Sequence, residues 1–350
     1  VSTLVSDLDF DLPPELIAQE ASPARDRSRL LHLDRGTQTR THHRVDGLPR
    51  LLRSGDLLVV NNSRVFPARL LGRRDPSGGI VECLLLTRLD EGCWNVLINP
   101  GQKMTIGTRA IFGEGNNQLH LEVLEQHPYG CRTVGLHVNG SGDVDTVVDT
   151  IGQTPLPPYI KRKADRADQE RYQTIFAKVR GSIAAPTAGL HFTTELMRRL
   201  AAAGIDQAQV TLHVGYGTFQ PMRVERVEDH QVATEWFEMT ATAAARINAA
   251  LDEGRRVVAV GTTTTRVLES VARAGEGRMM PMIAMTDLYI HPGFDFRVVG
   301  ALVTNFHVPR SSLLVLASAF AGCQLLREAY TEAVERRYRF YSYGDAMLIT

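Results

Sequence analysis

The sequence predicts an α/β protein whose largely parallel sheet carries a small inserted β-barrel, and three observations predict it. Beyond residue 180, strand-like and helix-like stretches alternate, a pattern that lays parallel strands beneath helices on both faces. Between residues 65 and 149 the rhythm changes to short strands separated by Pro76-Ser77-Gly78-Gly79, Asp90-Glu91-Gly92, Gly113-Glu114-Gly115-Asn116-Asn117 and His127-Pro128-Tyr129-Gly130. Ahead of that module, Asp56-Leu57-Leu58-Val59-Val60 reads as a buried strand of the α/β part. The expected organisation is a discontinuous Rossmann-like catalytic domain, residues 1–65 and 150–350, interrupted by a β-barrel domain, residues 66–149.

Composition narrows the class of function. Lys plus Arg and Asp plus Glu are both 39, so no net charge drives the chain onto nucleic acid or membrane, and any RNA contact must use local patches. Four scattered cysteines form no CxxC pair, which argues against zinc ribbons and disulfide scaffolds and suits a reducing cytoplasm. The first ten residues are too acidic and broken for a signal peptide, and no apolar run has the length of a membrane span. A cytoplasmic enzyme without a metal site is the expectation.

Taken in order, Pro13-Pro14 introduce a short amphipathic helix at 15–19. Arg25-Asp26-Arg27-Ser28-Arg29 reads either as a phosphate grip or as a solvated charge run. The strand at 56–60 runs into the polar loop Asn61-Asn62-Ser63-Arg64, and strand ends are where α/β proteins place ligands. In the barrel, alternation at 94–98 and 119–124 gives each strand one buried face, and about six strands suffice for closure. His120, His127 and His137 lack ligand spacing and read as ordinary strand or surface residues. The basic run from Lys161 through Arg162 and Lys163 to Arg166 follows Pro157-Pro158-Tyr159, either as a phosphate contact or as a charged linker.

In the second half, Thr193 is placed to cap a helix at 195–203 and Thr240 one at 243–252; Gly204 and Gly254 close them. Further helices are expected at 262–274, 311–322 and 325–337, and strands at 208–214, 256–260, 285–290, 301–304 and 346–349.

Several loops should then meet at one sheet edge. Ala184 to Thr194 carries His191 toward a helix start, with Thr187 and Gly189 in the same loop. Gly215-Tyr216-Gly217-Thr218-Phe219, Gly261-Thr262-Thr263-Thr264-Thr265-Arg266 and Asn305-Phe306-His307-Val308-Pro309-Arg310 each follow a strand. Glycine N–H groups there suit an anion, and the hydroxyls suit a ribose or an amino-acid end. There is no GxGxxG, Walker lysine or GxSxG. His213, Asp229, His230, Glu235 and Asp345 are acid and base candidates beside the His191 loop, and the residues alone point to metal-free proton-transfer chemistry on a nucleoside-like ligand.

The motifs Asp56-Leu-Leu-Val-Val-Asn-Asn-Ser-Arg-Val-Phe-Pro-Ala-Arg69, Ala185-Pro-Thr-Ala-Gly-Leu-His-Phe192, Thr211-Leu-His-Val-Gly-Tyr-Gly-Thr-Phe-Gln-Pro221, Val260-Gly-Thr-Thr263, Leu302-Val-Thr-Asn-Phe-His-Val-Pro-Arg310 and Tyr338-Arg-Phe-Tyr-Ser-Tyr-Gly-Asp-Ala346 closely resemble the S-adenosylmethionine:tRNA ribosyltransferase-isomerase family, in order and over nearly the whole chain. The resemblance implies an enzyme of queuosine biosynthesis that moves the ribosyl part of S-adenosylmethionine onto 7-aminomethyl-7-deazaguanine at the tRNA wobble position. Epoxyqueuosine-tRNA, adenine and methionine are the products. The implied chemistry starts with loss of a proton from the ribose carbon beside the sulfonium; adenine then leaves, the aminomethyl nitrogen attacks the anomeric carbon, and epoxide closure expels methionine.

S-adenosylmethionine is thus a co-substrate and no prosthetic group is expected. Thr187, Gly189, Gly215, Gly217, Thr218, Gly261, Thr262, Asn305 and His307 become its candidate contacts, and Arg25, Arg29, Arg64, Arg69, Lys161, Arg162 and Lys163 the candidate tRNA contacts. Neither a membrane nor a metal is implied; a monomer is compatible with this reading and not required by it. The chain departs from the family pattern His-x-Met-His-x-Glu, because His230-Gln-Val-Ala233-Thr-Glu235 has alanine at the second histidine. That shifts weight from His230 to Glu235. A methyltransferase and a non-catalytic RNA-binding module are the rival readings, the latter motivated by the arginine-rich runs at 25–29, 161–166 and 336–339.

Overall fold

The computed structural model describes residues 3–139 and 142–350. Its contacts divide the chain into two compact units, one of residues 1–64, 158–162 and 171–350 and the other of residues 65–157 and 163–170.

In chain order the elements are β1 (Arg29–Asp34), β2 (Thr39–Arg44), α1 (Leu48–Leu51), β3 (Leu57–Asn61) and β4 (Ser63–Val65). The barrel strands follow as β5 (Arg69–Asp75), β6 (Ile80–Asp90), β7 (Cys93–Asn99), β8 (Arg109–Phe112), β9 (Leu119–Gln126) and β10 (Cys131–Val138), then α2 (Val144–Ile151) and α3 (Arg166–Arg171). The remainder comprises β11 (Val179–Ser182), α4 (Thr194–Ala202), β12 (Asp206–Leu212), β13 (Glu235–Met239), α5 (Ala241–Asp252), β14 (Val257–Val260) and α6 (Thr262–Ala274). It ends with β15 (Met282–Thr286), β16 (Val299–Asn305), α7 (Ser312–Ala321), α8 (Cys323–Glu335) and β17 (Ala346–Ile349).

The larger unit is a nine-stranded sheet in the order β15-β13-β12-β3-β14-β16-β17-β1-β2. The parallel sheet expected from the sequence is its centre, β12, β3, β14 and β16. Antiparallel pairings of β13 and β15 on one side, and of β17 and β2 on the other, extend it into a mixed sheet. All five β3 residues are buried, and they alternate between two cores. Leu57 and Val59 face the core formed with α5, α6, α7 and α8; Leu58 and Val60 face the one formed with α1 and α4. Strands covered on both faces cannot show a polar side, so these read as continuous apolar runs. Burying each such side chain contributes roughly 1.5–3 kcal/mol.

Helix starts follow the expected capping chemistry. Thr193, Thr240 and Ser311 accept hydrogen bonds from Leu196 N, Ala243 N and Leu314 N at the starts of α4, α5 and α7. The expected 15–19 helix is a single 3-10 turn, Pro14–Leu16. The strand expected at 285–290 is β15, and residues 287–298 form no strand or helix. No single helix among the described residues is long and apolar enough to cross a membrane.

The smaller unit contains a closed six-stranded barrel in the order β10-β7-β6-β5-β8-β9. Alternate residues fill it, among them Val81, Cys83 and Leu85 from β6 and Trp94, Val96 and Ile98 from β7. Gly72 admits no side chain, since a Cβ there would lie 2.3 Å from Ile111 O. His120 and His137 are cross-strand neighbours with stacked rings.

Candidate functional site

The four central parallel strands end along one edge of the sheet, where the loops after β12, β14 and β16 and the segment 184–188 line a cavity of about 460 Å3. Because β17 runs antiparallel to β16, pairing Ala346 with Asn305, the turn before β17 arrives at the same edge and adds Tyr341 and Ser342 to the wall. Thr187, Thr218, Gly261, Thr262, Asn305 and His307 line the cavity, as do Thr263, Ser311, Tyr159, Phe219, Leu12 and Ile17. No Asp, Glu, Lys or Arg among the described residues does.

Gly261 reaches its position with φ of 92°, a left-handed backbone that favours glycine, and so turns the start of α6 onto the cavity at Thr262 and Thr263. Ser311, the cap of α7, brings a second helix start to it. Asn305 ties the wall together: Thr187 Oγ1 donates to its Oδ1 at 2.9 Å, and its Nδ2 donates to Tyr341 O at 3.2 Å and to His191 Nε2 at 3.1 Å.

His191 is therefore behind the wall. It opens onto a separate small cleft with Arg25 and Tyr343, and its Nε2 accepts from Asn305, so it is neutral with the proton on Nδ1. Burial pulls its pKa down to about 4. His307 does line the cavity, with Nε2 2.8 Å from Thr304 Oγ1, and burial lowers it to about 3.

Glu235 occupies an adjoining cleft of about 90 Å3 with Gly217, His230, Ala233, Arg266 and Tyr289. Cavity and cleft share Thr218, Gln220, Pro221 and Leu313. Arg266 Nη1 donates to Glu235 Oε2, and Gly215 N donates to Oε1 at 2.7 Å. Burial raises the carboxyl's pKa against the opposing pull of the Arg266 charge and the Gly215 N–H. Ala233 Cβ sits about where a Cβ on Gly217 would be met, at 3.0 Å, so the loop packs closely against the residue that departs from the family pattern.

Several sequence-derived site residues stand elsewhere. Gly215 lends its N–H to the Glu235 carboxyl instead of to a bound ligand, and Gly189 packs on Thr174, where a Cβ would approach to 2.9 Å. His213, just past the end of β12, points away from the cavity that its neighbour Val214 lines and packs on Ser63 and Trp236 instead. Its Nδ1 is 2.8 Å from Ser63 Oγ, its ring stacks on Trp236 at 4.6 Å, and burial lowers its pKa to about 4. The polar loop after β3 is likewise structural: Asn61 bonds to both the N–H and the carbonyl of Leu212.

Asp345 lies outside the cavity and cleft, in a clamp. Its carboxylate accepts from Arg29 N at 2.9 Å, Arg29 Nε at 3.1 Å, Arg29 Nη2 at 3.0 Å and Arg339 N at 2.8 Å. This engages the partly exposed Arg29, which also donates to Arg336 O. Asp345→Asn is expected to lower stability by about 1–3 kcal/mol, the usual cost of leaving a buried partner unsatisfied, while turnover per folded molecule stays unchanged. Denaturant unfolding and specific activity measured on one preparation check this; lost turnover at full stability would return Asp345 to the chemistry.

Of the other basic candidates, Arg25 donates to Leu190 O at 3.2 Å, Arg162 to Gln19 O at 3.2 Å, and Arg69 pairs with Glu82 at 2.8 Å. Arg64, Lys161 and Lys163 are exposed. Sequence reasoning missed Tyr159 and Tyr341. Tyr341 lies inside the 338–346 motif and Tyr159 just ahead of the basic run, but only the antiparallel return of β17 brings the turn holding Tyr341 to the edge. Among the described residues, no group of three or more His, Cys, Asp or Glu could hold a metal ion.

Comparison with known proteins supplies the relationship. The family model described as "Queuosine biosynthesis protein" matches residues 5–349. The S-adenosylmethionine:tRNA ribosyltransferase-isomerase of Desulfitobacterium hafniense is 49% identical over 346 residues, covering 99% of each chain. That of Carboxydothermus hydrogenoformans is 50% identical over 347 residues, again covering 99% of each. The crystal structure of S-adenosylmethionine tRNA ribosyltransferase from Thermotoga maritima aligns at a TM-score of 0.56 with 38% identity, over 98% of this chain and 100% of that one. With a family model matched almost from end to end and relatives this similar over their full length, the chain belongs to the queuosine biosynthesis protein family.

Proposed function

We propose that this protein transfers and isomerises the ribosyl group of S-adenosylmethionine onto 7-aminomethyl-7-deazaguanine in the wobble position of tRNA, releasing adenine and methionine. One observation carries the reading: a nucleoside-sized cavity and a smaller cleft holding a buried carboxylate share a wall, so donor and acceptor have adjoining places. S-adenosylmethionine occupies the cavity, where the starts of α6 and α7 favour its carboxylate and the hydroxyls of Thr218 and Thr262 suit its ribose. Glu235 is the base for the ribose proton, since a carboxylate with a raised pKa holds a proton better than an exposed one. Cavity walls of apolar and neutral side chains keep water from the anomeric carbon once adenine leaves. Arg64, Lys161 and Lys163 remain the tRNA phosphate contacts of choice, being exposed.

Label transfer tests the reading. With ribose-labelled S-adenosylmethionine and tRNA bearing the aminomethyl base, the label is expected to enter tRNA while a methyl label leaves with methionine. Methyl label retained on tRNA would make the protein a methyltransferase, and salt-sensitive tRNA binding with no adenine release would make it a binding module.

A further inference from the structure

We propose that the stacked pair Tyr159 and Tyr341 is the platform on which the purine ring of the nucleoside substrate lies; this rests on the reading of the cavity as the S-adenosylmethionine site. The two rings stack with centroids 3.7 Å apart and planes at 23°, and Phe219 meets Tyr159 edge-on at 6.0 Å. All three line the cavity. Ile17, whose backbone pairs with that of Phe340, continues this apolar wall beside Tyr341. A flat aromatic surface within a cavity free of charged side chains suits a planar heterocycle, which stacks on it by its π face.

The pair is held in place before any ligand arrives. Tyr341 has φ of 71°, a left-handed conformation that a bulky side chain seldom adopts. It is held by three hydrogen bonds to its backbone: Tyr341 N donates to Phe306 O at 2.9 Å, and Tyr341 O accepts from Gly344 N at 3.0 Å and from the Asn305 side chain Nδ2 at 3.2 Å. Asparagine or glycine would fill that conformation with less strain, so the turn's geometry alone does not call for a ring. Tyr159 is fixed through Gln19, whose Nε2 donates to Tyr159 O at 2.9 Å and whose Oε1 accepts from Lys161 N at 2.8 Å. Its hydroxyl is bonded to Ser342 Oγ, which leaves the ring, not the phenol, as the binding element. Strain tolerated where the surroundings over-determine it is a mark of binding sites.

The test is calorimetric binding of S-adenosylmethionine and of its neutral thioether, S-adenosylhomocysteine, to the wild-type protein and three variants. Tyr341→Asn removes the ring while suiting the left-handed backbone, Tyr159→Leu removes the other ring at a residue without positive φ, and Tyr341→Phe keeps the ring. Both ring deletions are expected to weaken both ligands by about tenfold or more, as loss of an aromatic stacking partner does. Tyr341→Phe should bind as wild type does, and thermal unfolding confirms that each variant is folded. Affinity for both ligands unchanged in Tyr159→Leu or in folded Tyr341→Asn overturns the proposal. So does a loss confined to S-adenosylmethionine, because the rings would then serve the sulfonium charge. Wild-type protein that binds neither ligand would instead overturn the underlying reading of the cavity.

Discussion

Glu235→Gln is expected to cut turnover by about 100-fold or more while tRNA binding persists. The amide keeps the size of the side chain but cannot take up a proton, and a positioned general base contributes on that scale. Stability should fall too. The carboxylate and Arg266 are both buried, with side chains 5% and 11% exposed, and Glu235 also receives the Gly215 N–H. An amide presents one oxygen and one NH2 where two acceptors are needed, so either Arg266 or Gly215 faces a donor. Breaking such a buried pair costs about 3–5 kcal/mol. Adenine release per folded molecule, with folded protein quantified by denaturant unfolding, separates the two effects. Normal turnover in the folded fraction would leave Glu235 as no more than the structural partner of Arg266.

Acid should destabilise the protein as pH falls below the ordinary histidine value. Burial holds His191 and His213 at about 4 and His307 at about 3, against an ordinary histidine value of 6.5. The unfolded chain takes up these protons as pH falls through about 6.5, whereas the native chain does not, so stability declines from there toward pH 4 and levels off once the native rings protonate. Each histidine that stays neutral contributes about 1.4 kcal/mol per pH unit to this slope, or about 2 kcal/mol between pH 6.5 and 5. His191 and His307 should dominate, because His213 is only half-buried. Unfolding midpoints measured across this range check the slope. His307→Gln, which keeps an acceptor for the Thr304 hydroxyl, is expected to flatten it by about one proton; an unchanged slope would show that His307 titrates normally.

What the sequence made legible follows from what its patterns can carry. The central strands read clearly because burial on both faces leaves an unbroken apolar run, as in Leu57 to Val60, and the barrel read clearly because its turn clusters recur. Two of the flanking strands did not. β2 is Thr-Arg-Thr-His-His-Arg with no buried residue, and β13 follows directly on an irregular loop, so neither carries a pattern strong enough to read unaided. Loops at the ends of parallel strands were foreseeable as a crevice, and six of the nine co-substrate candidates do line it. Orientation was not foreseeable. His213 and Val214 are adjacent in sequence and face opposite ways, while His191 is one hydrogen bond behind Asn305. Asp345 looked like an acid because a carboxylate beside glycine and tyrosine carries no mark of the arginine, 316 positions away, that claims it.

The place of β17 in the sheet has a bearing on how the molecule is assembled. Among the described residues, the β1–β2 hairpin joins the rest of the sheet only through β17, formed by residues 346–349. Its docking must therefore wait for a strand more than three hundred positions further along the chain, whereas the barrel's strands follow one another in sequence. Pairings this remote in sequence are slow to form and leave apolar strands uncovered meanwhile. Leu30, Leu31 and Leu33, fully buried in the finished sheet, are the residues left uncovered until β17 is in place.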